Sequence, residues 1–392
     1  MAARAEPISG VQPELLKWAR DSANMTTGDV AEKLNKRAEE IEAWENGQGG
    51  PTYAQLERLA YDIYKRPLAI FFLPSPPDEP KARTEFRSLP DADLSSLQRH
   101  TVLLIRKGRA FQTALDELYQ GRNPTERPLW REISLSTQRS ISTQAQSVRE
   151  VLGVSLDQVR DATGDDDALK LWRRAIEARG VFVFKDSFKQ GEISGFCLRH
   201  DEFPIILINN STTKTRQTFS LLHELVHLLF NRSGISRFDN AGIDELPPQD
   251  RAIERFCNSV AAEILVPARD FAVAVRELNF KPRQASDEEY AALARRYHVS
   301  RSVVLRRFLD QGQVTEAFYL AKDREWANQR GRGGSGGDYY NTQGAYLSER
   351  FLRDVVSGYS RRVISKSEAA EMIGVKPKNF DAFQDLVLRG AA

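Results

Sequence analysis

The sequence predicts a mainly helical protein with one small β-sheet, an α+β fold. Apolar residues recur at helical spacing through most of the 392 residues. Three short runs rich in β-branched and aromatic residues lie close together between positions 181 and 209. The hydrophobic share of 41% and the charged share of 28% are typical of globular chains. These three observations favour packed helices around a minor sheet.

The length predicts roughly two to three domains of about 150 residues each. We expect an all-helical domain over 1–75 and a helical linker region over 76–165, which opens with a proline-rich stretch. Residues 166–312 contain the predicted strands and two long helices. Residues 313–392 contain a glycine-rich loop at Gly331–Gly337 and a small helical module.

The three predicted strands are Val181–Phe184, Ile193–Leu198 and Pro204–Asn209, separated by polar turns. Gly180 precedes the first of them and is a natural end for the helix before it. Two helices follow the strands. We expect them at Thr215–Phe230 and from about Asp250 to Leu265, where a proline at position 267 ends the second.

Charge and cysteine usage exclude several classes of protein. The net charge of +2 gives no overall bias toward nucleic acid or membranes. Two cysteines, Cys197 and Cys257, do not make a disulfide framework and are expected to be buried thiols in a reducing compartment. The first residues have no apolar signal-peptide core, and no apolar run reaches the length of a membrane span. We therefore expect a cytoplasmic protein without a membrane partner.

The central motif is HELVH, within the apolar run FSLLHELVHLLF at Phe219–Phe230. A spacing of four residues puts His223 and His227 on one face of a helix, where both imidazoles can bind the same Zn²⁺. Glu224 is then placed to activate water as a general base. The alternative is a pair of core histidines with protein partners, which is disfavoured because only five histidines occur in the chain.

A zinc peptidase needs a third protein ligand and one open position. The next helix offers Glu254, which shares a face with Asn258, and Glu263 further along. Asp244 and Glu245 lie in the loop before it. Spacing alone leaves the choice among the carboxylates open, and Glu254 also reads as a solvated helix-face charge.

FSLLHELVHLLF followed by ERFCNSVAAEILVP resembles the ImmA/IrrE family of bacterial and phage metallopeptidases. The resemblance covers roughly Lys170 to Gly312, including the strand-rich segment before the motif. It implies zinc held by His223, His227 and Glu254, with Glu224 as the base. Four positions depart from the family pattern without changing a ligand. These are Cys257 for the usual Ala, Val260 for Phe, Ile264 for Leu, and Val266 where Met often precedes the proline.

The resemblance implies an endopeptidase that cleaves a specific transcriptional repressor or antitoxin-like partner. An extended substrate is expected to add as a strand to the sheet edge near Ile193–Leu198. Candidates for stabilising the oxyanion are Tyr339, Tyr340, Arg216 and His200, although packing roles suit all four. A DNA-binding regulator or an antitoxin-like binding protein, whose zinc domain acts as a sensor or scaffold, is the rival class.

Residues 26–60 resemble an Xre-type, lambda-repressor-like helix-turn-helix domain, with a recognition helix expected at about Arg37–Trp44. Only Lys36 and Arg37 offer positive charge at the start of that helix, and four glutamates follow. Residues 1–80 contain nine Lys and Arg against thirteen Asp and Glu, a net charge of −4. Since DNA affinity depends on cations at phosphates, operator binding, protein docking and a purely structural role all remain open.

Two further segments are helix-turn-helix-like. The one that follows the zinc motif contains Arg301, Arg306 and Arg307, which we interpret as a solvated basic face rather than a DNA contact. The other, Ile364–Phe380, is a candidate for recognising a partner.

Overall fold

The computed structural model describes residues 6–77, 97–190, 193–231, 234–237, 247–328 and 346–388. The chain forms two compact units, Met1–Lys107 and Gly108–Ala392. The predicted linker at Phe71–Thr84 lies partly outside the described residues, and the glycine-rich loop lies wholly outside them. No helix in the described ranges is long and apolar enough to cross a membrane.

The first unit is helical. Its helices are α1 (Pro13–Ser22), α2 (Thr27–Leu34), α3 (Ala38–Glu45) and α4 (Tyr53–Arg58), followed by a π-helical turn (Leu59–Tyr64), a 3-10 turn (Leu68–Phe72) and the start of α5 (Arg99–Tyr119). Thr26 and Thr52 begin α2 and α4 as the N-caps of capping boxes, which satisfy backbone N–H groups that a helix start leaves unpaired. The helix expected at Arg37–Trp44 is α3, shifted by one residue.

Helices account for most of the described residues of the second unit. They are α6 (Leu129–Glu132), α7 (Ile141–Leu152), α8 (Leu156–Arg160), α9 (Asp165–Ala178), α10 (Lys214–Leu229), α11 (Pro248–Leu265), α12 (Ala268–Glu277), α13 (Asp287–Arg295), α14 (Arg301–Asp310), α15 (Glu316–Asn328), α16 (Glu349–Ser360), α17 (Lys366–Met372) and α18 (Phe380–Leu388). The α+β class is confirmed, and both long helices after the strands lie within two residues of their predicted bounds.

The sheet has four strands where the sequence predicted three. They are β1 (Phe182–Asp186), β2 (Ile193–Leu198), β3 (Ile205–Asn209) and β4 (Gly234–Arg237), in the order β1-β3-β2-β4. β1 runs parallel to β3, and β2 is antiparallel to both β3 and β4. The sequence analysis missed β4 because a four-residue strand without alternating apolar residues gives no periodic signal.

The expectation that Ile193–Leu198 forms a sheet edge is wrong. This segment is β2, which hydrogen-bonds to β3 on one side and to β4 on the other. The edge strands among the described residues are β1 and β4. A substrate strand can therefore pair with β4 but cannot pair with β2.

Two helices of the second unit cover opposite faces of the sheet. Ile206 and Ile208 of β3 share the main core with α10, whereas their neighbour Ile205 faces α5. Gly108 of α5 allows the close approach, because a Cβ there would lie 3.1 Å from Ile205 Cδ1 and 3.0 Å from Leu198 Cδ1. The zinc-motif helix is therefore buried against a rigid sheet.

A buried lysine on β1 reduces the stability of this arrangement. Lys185 is 6% exposed. Burial, together with repulsion from Arg173 and Lys214, lowers the pKa of Lys185 to about 7. An unfolded lysine keeps its proton to about pH 10, so unfolding takes up a proton between pH 7 and pH 10. Stability therefore rises with pH across this window.

We expect Lys185→Met to stabilise the protein at pH 6 by on the order of 2 kcal/mol, because an apolar side chain of similar length replaces a buried charge. The difference in unfolding free energy between Lys185→Met and wild type should become smaller as the pH rises from 7 to 10. Urea unfolding at pH 6, 8 and 10 measures it. The exposed Lys281→Met is the matched control and should change stability by less than about 0.5 kcal/mol. A stability gap that does not depend on pH would contradict this account.

Candidate metal centre

The turn between β3 and α10 fixes where the motif helix starts. Asn209, buried at the end of β3, donates from Nδ2 to the Ile193 carbonyl (2.8 Å) and accepts at Oδ1 from the Ser211 hydroxyl (2.6 Å). Thr213 is the N-cap, and the Gln217 amide donates back to two carbonyls of the turn. Thr213 accepts from the Arg216 N–H, one of the groups that a helix start leaves unpaired, and the bonds of Asn209 and Gln217 tie the turn to β2 and to α10.

His223 and His227 lie one turn apart on α10, as the motif predicts, and both are buried. Their ring centroids are 4.7 Å apart, and the two Nε2 atoms approach to 3.0 Å. Rings this close, with the same nitrogen of each directed at one point, are not the arrangement of two independently satisfied core histidines. The alternative of two core histidines with separate protein partners is therefore not supported.

α11 brings Glu254 to the same point. Glu254 Oε2 lies 3.3 Å from His223 Nε2, and Glu254 Oε1 lies 3.2 Å from His227 Nε2. The three groups form a cluster whose ligand atoms all lie within 4.8 Å of one another. The structure thus selects Glu254 from the carboxylates that the sequence offered on this helix.

Glu263 has a different task at the far end of α11. Its carboxylate accepts from the Ala268 N–H at the start of α12 (3.0 Å) and pairs with Arg307 of α14. Asn258 lines the cleft described below and is not part of the ligand cluster. Asp244 and Glu245 lie outside the described residues.

The donor set fits a tetrahedral zinc ion. With Zn–N and Zn–O distances of about 2.0–2.2 Å, tetrahedral bonds place two ligand atoms about 3.3–3.6 Å apart. The two Nε2 atoms are 3.0 Å apart, and the two Glu254 oxygens lie 3.3 Å from the first and 3.2 Å from the second. Two imidazoles and one carboxylate are ligands that zinc prefers, and three of them leave the fourth position open. No rearrangement of the helices is required.

The electrostatics of the cluster call for a positive charge at its centre. Burial raises the pKa of the Glu254 carboxyl, but attraction to His227 and hydrogen bonds from both histidines outweigh it and hold that pKa well below its usual range. A carboxylate that keeps its charge in this buried setting needs a nearby cation. Protonated imidazole supplies that cation in the metal-free protein, and a divalent ion supplies it when bound.

Glu224 is fully buried beside the cluster, with 0% exposure. It follows His223 directly, so its side chain leaves α10 about 100° around the helix from that of His223. The carboxylate is therefore next to the ligands without being one of them. A catalytic base needs this relation to a metal-bound water.

A cleft with a volume of about 140 Å³ adjoins His223. α10 contributes Arg216, Phe219 and Ser220 to its lining, and the opposite wall comes from α14 and α15. Tyr319 of α15 lies in this wall, and the sequence analysis missed it. In the sequence it is one tyrosine in the helix-turn-helix-like segment that follows the HELVH motif, and no pattern there indicates that it lines a cleft.

The four oxyanion candidates from the sequence differ in where they lie. Arg216 lines the cleft. His200 accepts at Nδ1 from the Glu202 and Phe203 N–H groups (3.2 and 3.0 Å), so it has a structural role in the turn between β2 and β3. Tyr339 and Tyr340 lie outside the described residues.

The basic face expected on α14 is only partly present. Arg307 is 8% exposed and pairs with Glu263, so the interpretation as a solvated face is wrong for this residue. Arg306 lines the cleft and pairs with Asp310 at 3.0 Å. Arg301 pairs with Asp287 and lies over the Trp326 ring. The periodicity of the sequence did not show that α14 packs against α11.

In the first unit, Lys36 and Arg37 lie at the start of α3. Lys36 Nζ pairs with Glu40 Oε1 at 2.9 Å and lies 5.7 Å from the centre of the Trp44 ring. Arg37 is exposed and immediately precedes the helix. Of the two candidate DNA contacts, one already has an intramolecular carboxylate partner.

A helix with His-Glu-x-x-His packed against a second helix that brings a glutamate to both histidines is an arrangement typical of metallopeptidases. Residues 176–309 match the family model Peptidase_M78, described as the IrrE N-terminal-like domain. The matched segment, less than half of the chain, runs from α9 into α14 and contains every residue of the cluster. The match supports the resemblance to the ImmA/IrrE family and points to a peptidase. A comparison with curated proteins gave no match.

The two glutamates of α11 provide a matched test of the ligand set. We expect Glu254→Gln to weaken zinc binding on the order of 100-fold, because a neutral amide replaces the anionic ligand. His223→Ala should have at least the same effect. Glu263→Gln should leave zinc affinity within about threefold of wild type, because this side chain only links helix ends. Equilibrium competition with a chromogenic chelator measures all three, and equal losses for both Gln variants would contradict the assignment.

Proposed function

We propose that this protein is a zinc-dependent endopeptidase. One observation carries the proposal: the ligand atoms of His223, His227 and Glu254 converge within 4.8 Å beside the buried Glu224. The match to a peptidase family over the same residues supports it.

The roles of the residues follow from their positions. When bound, zinc polarises the scissile carbonyl and lowers the pKa of water. His223, His227 and Glu254 would hold the ion, and His223 also lines the cleft. Glu224 takes the proton from the attacking water and passes it to the leaving amine. The sheet behind α10 keeps these groups in place, so the site needs little reorganisation during the reaction.

The substrate is proposed to be an extended segment of a protein. β4 is the edge strand next to β2, and an edge strand offers unpaired N–H and C=O groups to an added strand. The cleft between α10 and α14 accepts side chains near His223. Tyr319 and Arg306, on the wall opposite α10, are the described residues best placed to contact a bound peptide.

The partner is proposed to be a transcriptional repressor or an antitoxin-like regulator, so that cleavage changes gene expression. The resemblance of the chain to the ImmA/IrrE family is the support for this class of substrate. The alternative function is a regulator in which the same metal centre senses zinc or scaffolds another domain. The two differ in whether Glu224 is needed.

For the first unit we propose protein docking through a helix-turn-helix-like fold rather than tight operator binding. The Lys36–Glu40 pair is the specific observation in favour of this proposal, because it leaves Arg37 as the one exposed cation at the start of α3 within the described residues. Glu39 and Glu42 are exposed on the same helix and would repel phosphates.

Glu224→Gln separates the peptidase from the scaffold. We expect this variant to lose at least about 100-fold in cleavage rate, because the neutral amide cannot accept the water proton. Its zinc content should stay equal to that of wild type, because Glu224 is not a ligand. Zinc-loaded protein is incubated with a mixture of folded cellular proteins and, separately, with a peptide library. Mass spectrometry of each mixture then detects the cleaved products.

Glu288→Gln, at an exposed position on α13 away from the cleft, is the control for this experiment and should cleave like wild type. If Glu224→Gln and wild type gave the same set of cleaved peptides, Glu224 would not be the base. If zinc-loaded wild type cleaved nothing in either mixture, the sensor or scaffold function would be favoured.

The docking proposal has its own test. We expect the full chain to bind random and selected DNA duplexes no more tightly than about 10⁻⁵ M at 150 mM salt, the range of non-specific binding. Fluorescence anisotropy over several salt concentrations measures this affinity. A selected duplex bound at 10⁻⁸ M or better, and weakened in Arg37→Ala, would establish operator binding instead.

A further inference from the structure

His227 has a second ring nitrogen that contacts a buried cysteine. Its Nε2 atom is directed at Glu254 and at the other histidine, where the metal would bind. Its Nδ1 atom, on the other side of the ring, lies 3.7 Å from Cys257 Sγ. The thiol therefore touches the ligand from behind and is not itself in the ligand cluster.

Helix geometry explains why one element supplies both groups. Cys257 follows Glu254 by three residues on α11, so the two side chains share a face of the helix. That face packs against α10. Glu254 reaches the metal side of the His227 ring, and Cys257 reaches the opposite side.

Burial makes the thiol contact important for His227. The imidazole is 1% exposed and the thiol 0% exposed, so bulk water does not reach Nδ1. A buried ring N–H without an acceptor destabilises the state that contains it. His223 differs in this respect, because among the described residues its Nδ1 atom has no hydrogen-bond partner.

A ligand histidine must present a lone pair to the metal, which requires its proton to be on the other nitrogen. In most zinc sites that N–H donates to a carboxylate, a backbone carbonyl or water. A thiol sulfur is a weaker acceptor than any of these. When it acts as an acceptor, it stabilises the Nδ1–H tautomer, which leaves the Nε2 lone pair free for zinc.

We propose that Cys257 is the positioning residue for His227, accepting a hydrogen bond from Nδ1–H and thereby holding Nε2 ready for the metal. The proposal rests on the zinc site proposed above. It gives a buried cysteine a role that is neither ligand nor nucleophile.

The chain provides a matched control. Cys197, on β2, is also fully buried and also outside any disulfide, but it is not part of the metal cluster or its contacts to His227. Cys197→Ala and Cys257→Ala remove the same atom from two fully buried positions. A difference between them reports on the contact with His227 rather than on the loss of a buried thiol.

The experiment measures the zinc affinity of wild type, Cys257→Ala, Cys257→Ser and Cys197→Ala by chelator competition. We expect about a tenfold loss for Cys257→Ala, the lower end of the range for partners of ligand histidines, because sulfur is a weak acceptor. Cys257→Ser keeps an acceptor and should stay within about threefold of wild type. Cys197→Ala should match wild type.

A second measurement keeps the result independent of folding and activity. In the zinc-loaded protein, NMR should show a His227 Nδ1–H proton that exchanges slowly, shifts in Cys257→Ser, exchanges faster in Cys257→Ala and is unchanged in Cys197→Ala. Equal zinc affinity and equal proton exchange in the two Ala variants would overturn the role of Cys257 while leaving the zinc site intact. Wild type that binds no zinc would instead overturn the proposed function.

Discussion

The packing of α10 against α11 is the constraint on which the rest of the structure depends. It forces two imidazoles and a carboxylate together, with His223 and His227 at most 4% exposed and the ligand atoms about 3 Å apart. Without a cation between them this arrangement is unfavourable, since a buried carboxylate needs compensation. The sheet, the capped start of α10 and the aromatic contact between Phe230 and Phe256 hold the helices in place. The protein maintains an arrangement that zinc would stabilise.

The two glutamates of α11 are of the same residue type, but one lies in the proposed metal cluster and the other connects neighbouring helices. Glu254 is directed at the histidines. Glu263 links the start of α12 to Arg307 of α14, and α14 forms part of the cleft wall. The architectural pair thus positions the wall across from the metal ligands. Glu263 of the ion pair and Glu254 of the proposed metal cluster are nine residues apart, and residue type alone does not distinguish them.

Both cysteines were expected to be inert buried thiols, and in burial they are alike. Their surroundings separate them, because one lies within the sheet and the other touches a ligand of the proposed metal. The same holds for the arginines of α14, where one is buried in an ion pair and another lines the cleft. Residues of the same type therefore have different contacts once the helices pack.

The sequence by itself determined the α+β class, the helix of the HELVH motif, and the placement of His223 and His227 on one face of that helix with Glu224 beside them, because these depend on local periodicity within a few turns. Residue spacing alone left the third ligand open among Glu254, Glu263, Asp244 and Glu245, and it did not predict β4, the burial of Arg307 or the place of Tyr319. Only the tertiary structure decided that Glu254 lies beside both histidines and where β4, Arg307 and Tyr319 lie. The physical reason is that they depend on which helix faces which, and contacts between residues distant in the chain leave no periodic trace in it.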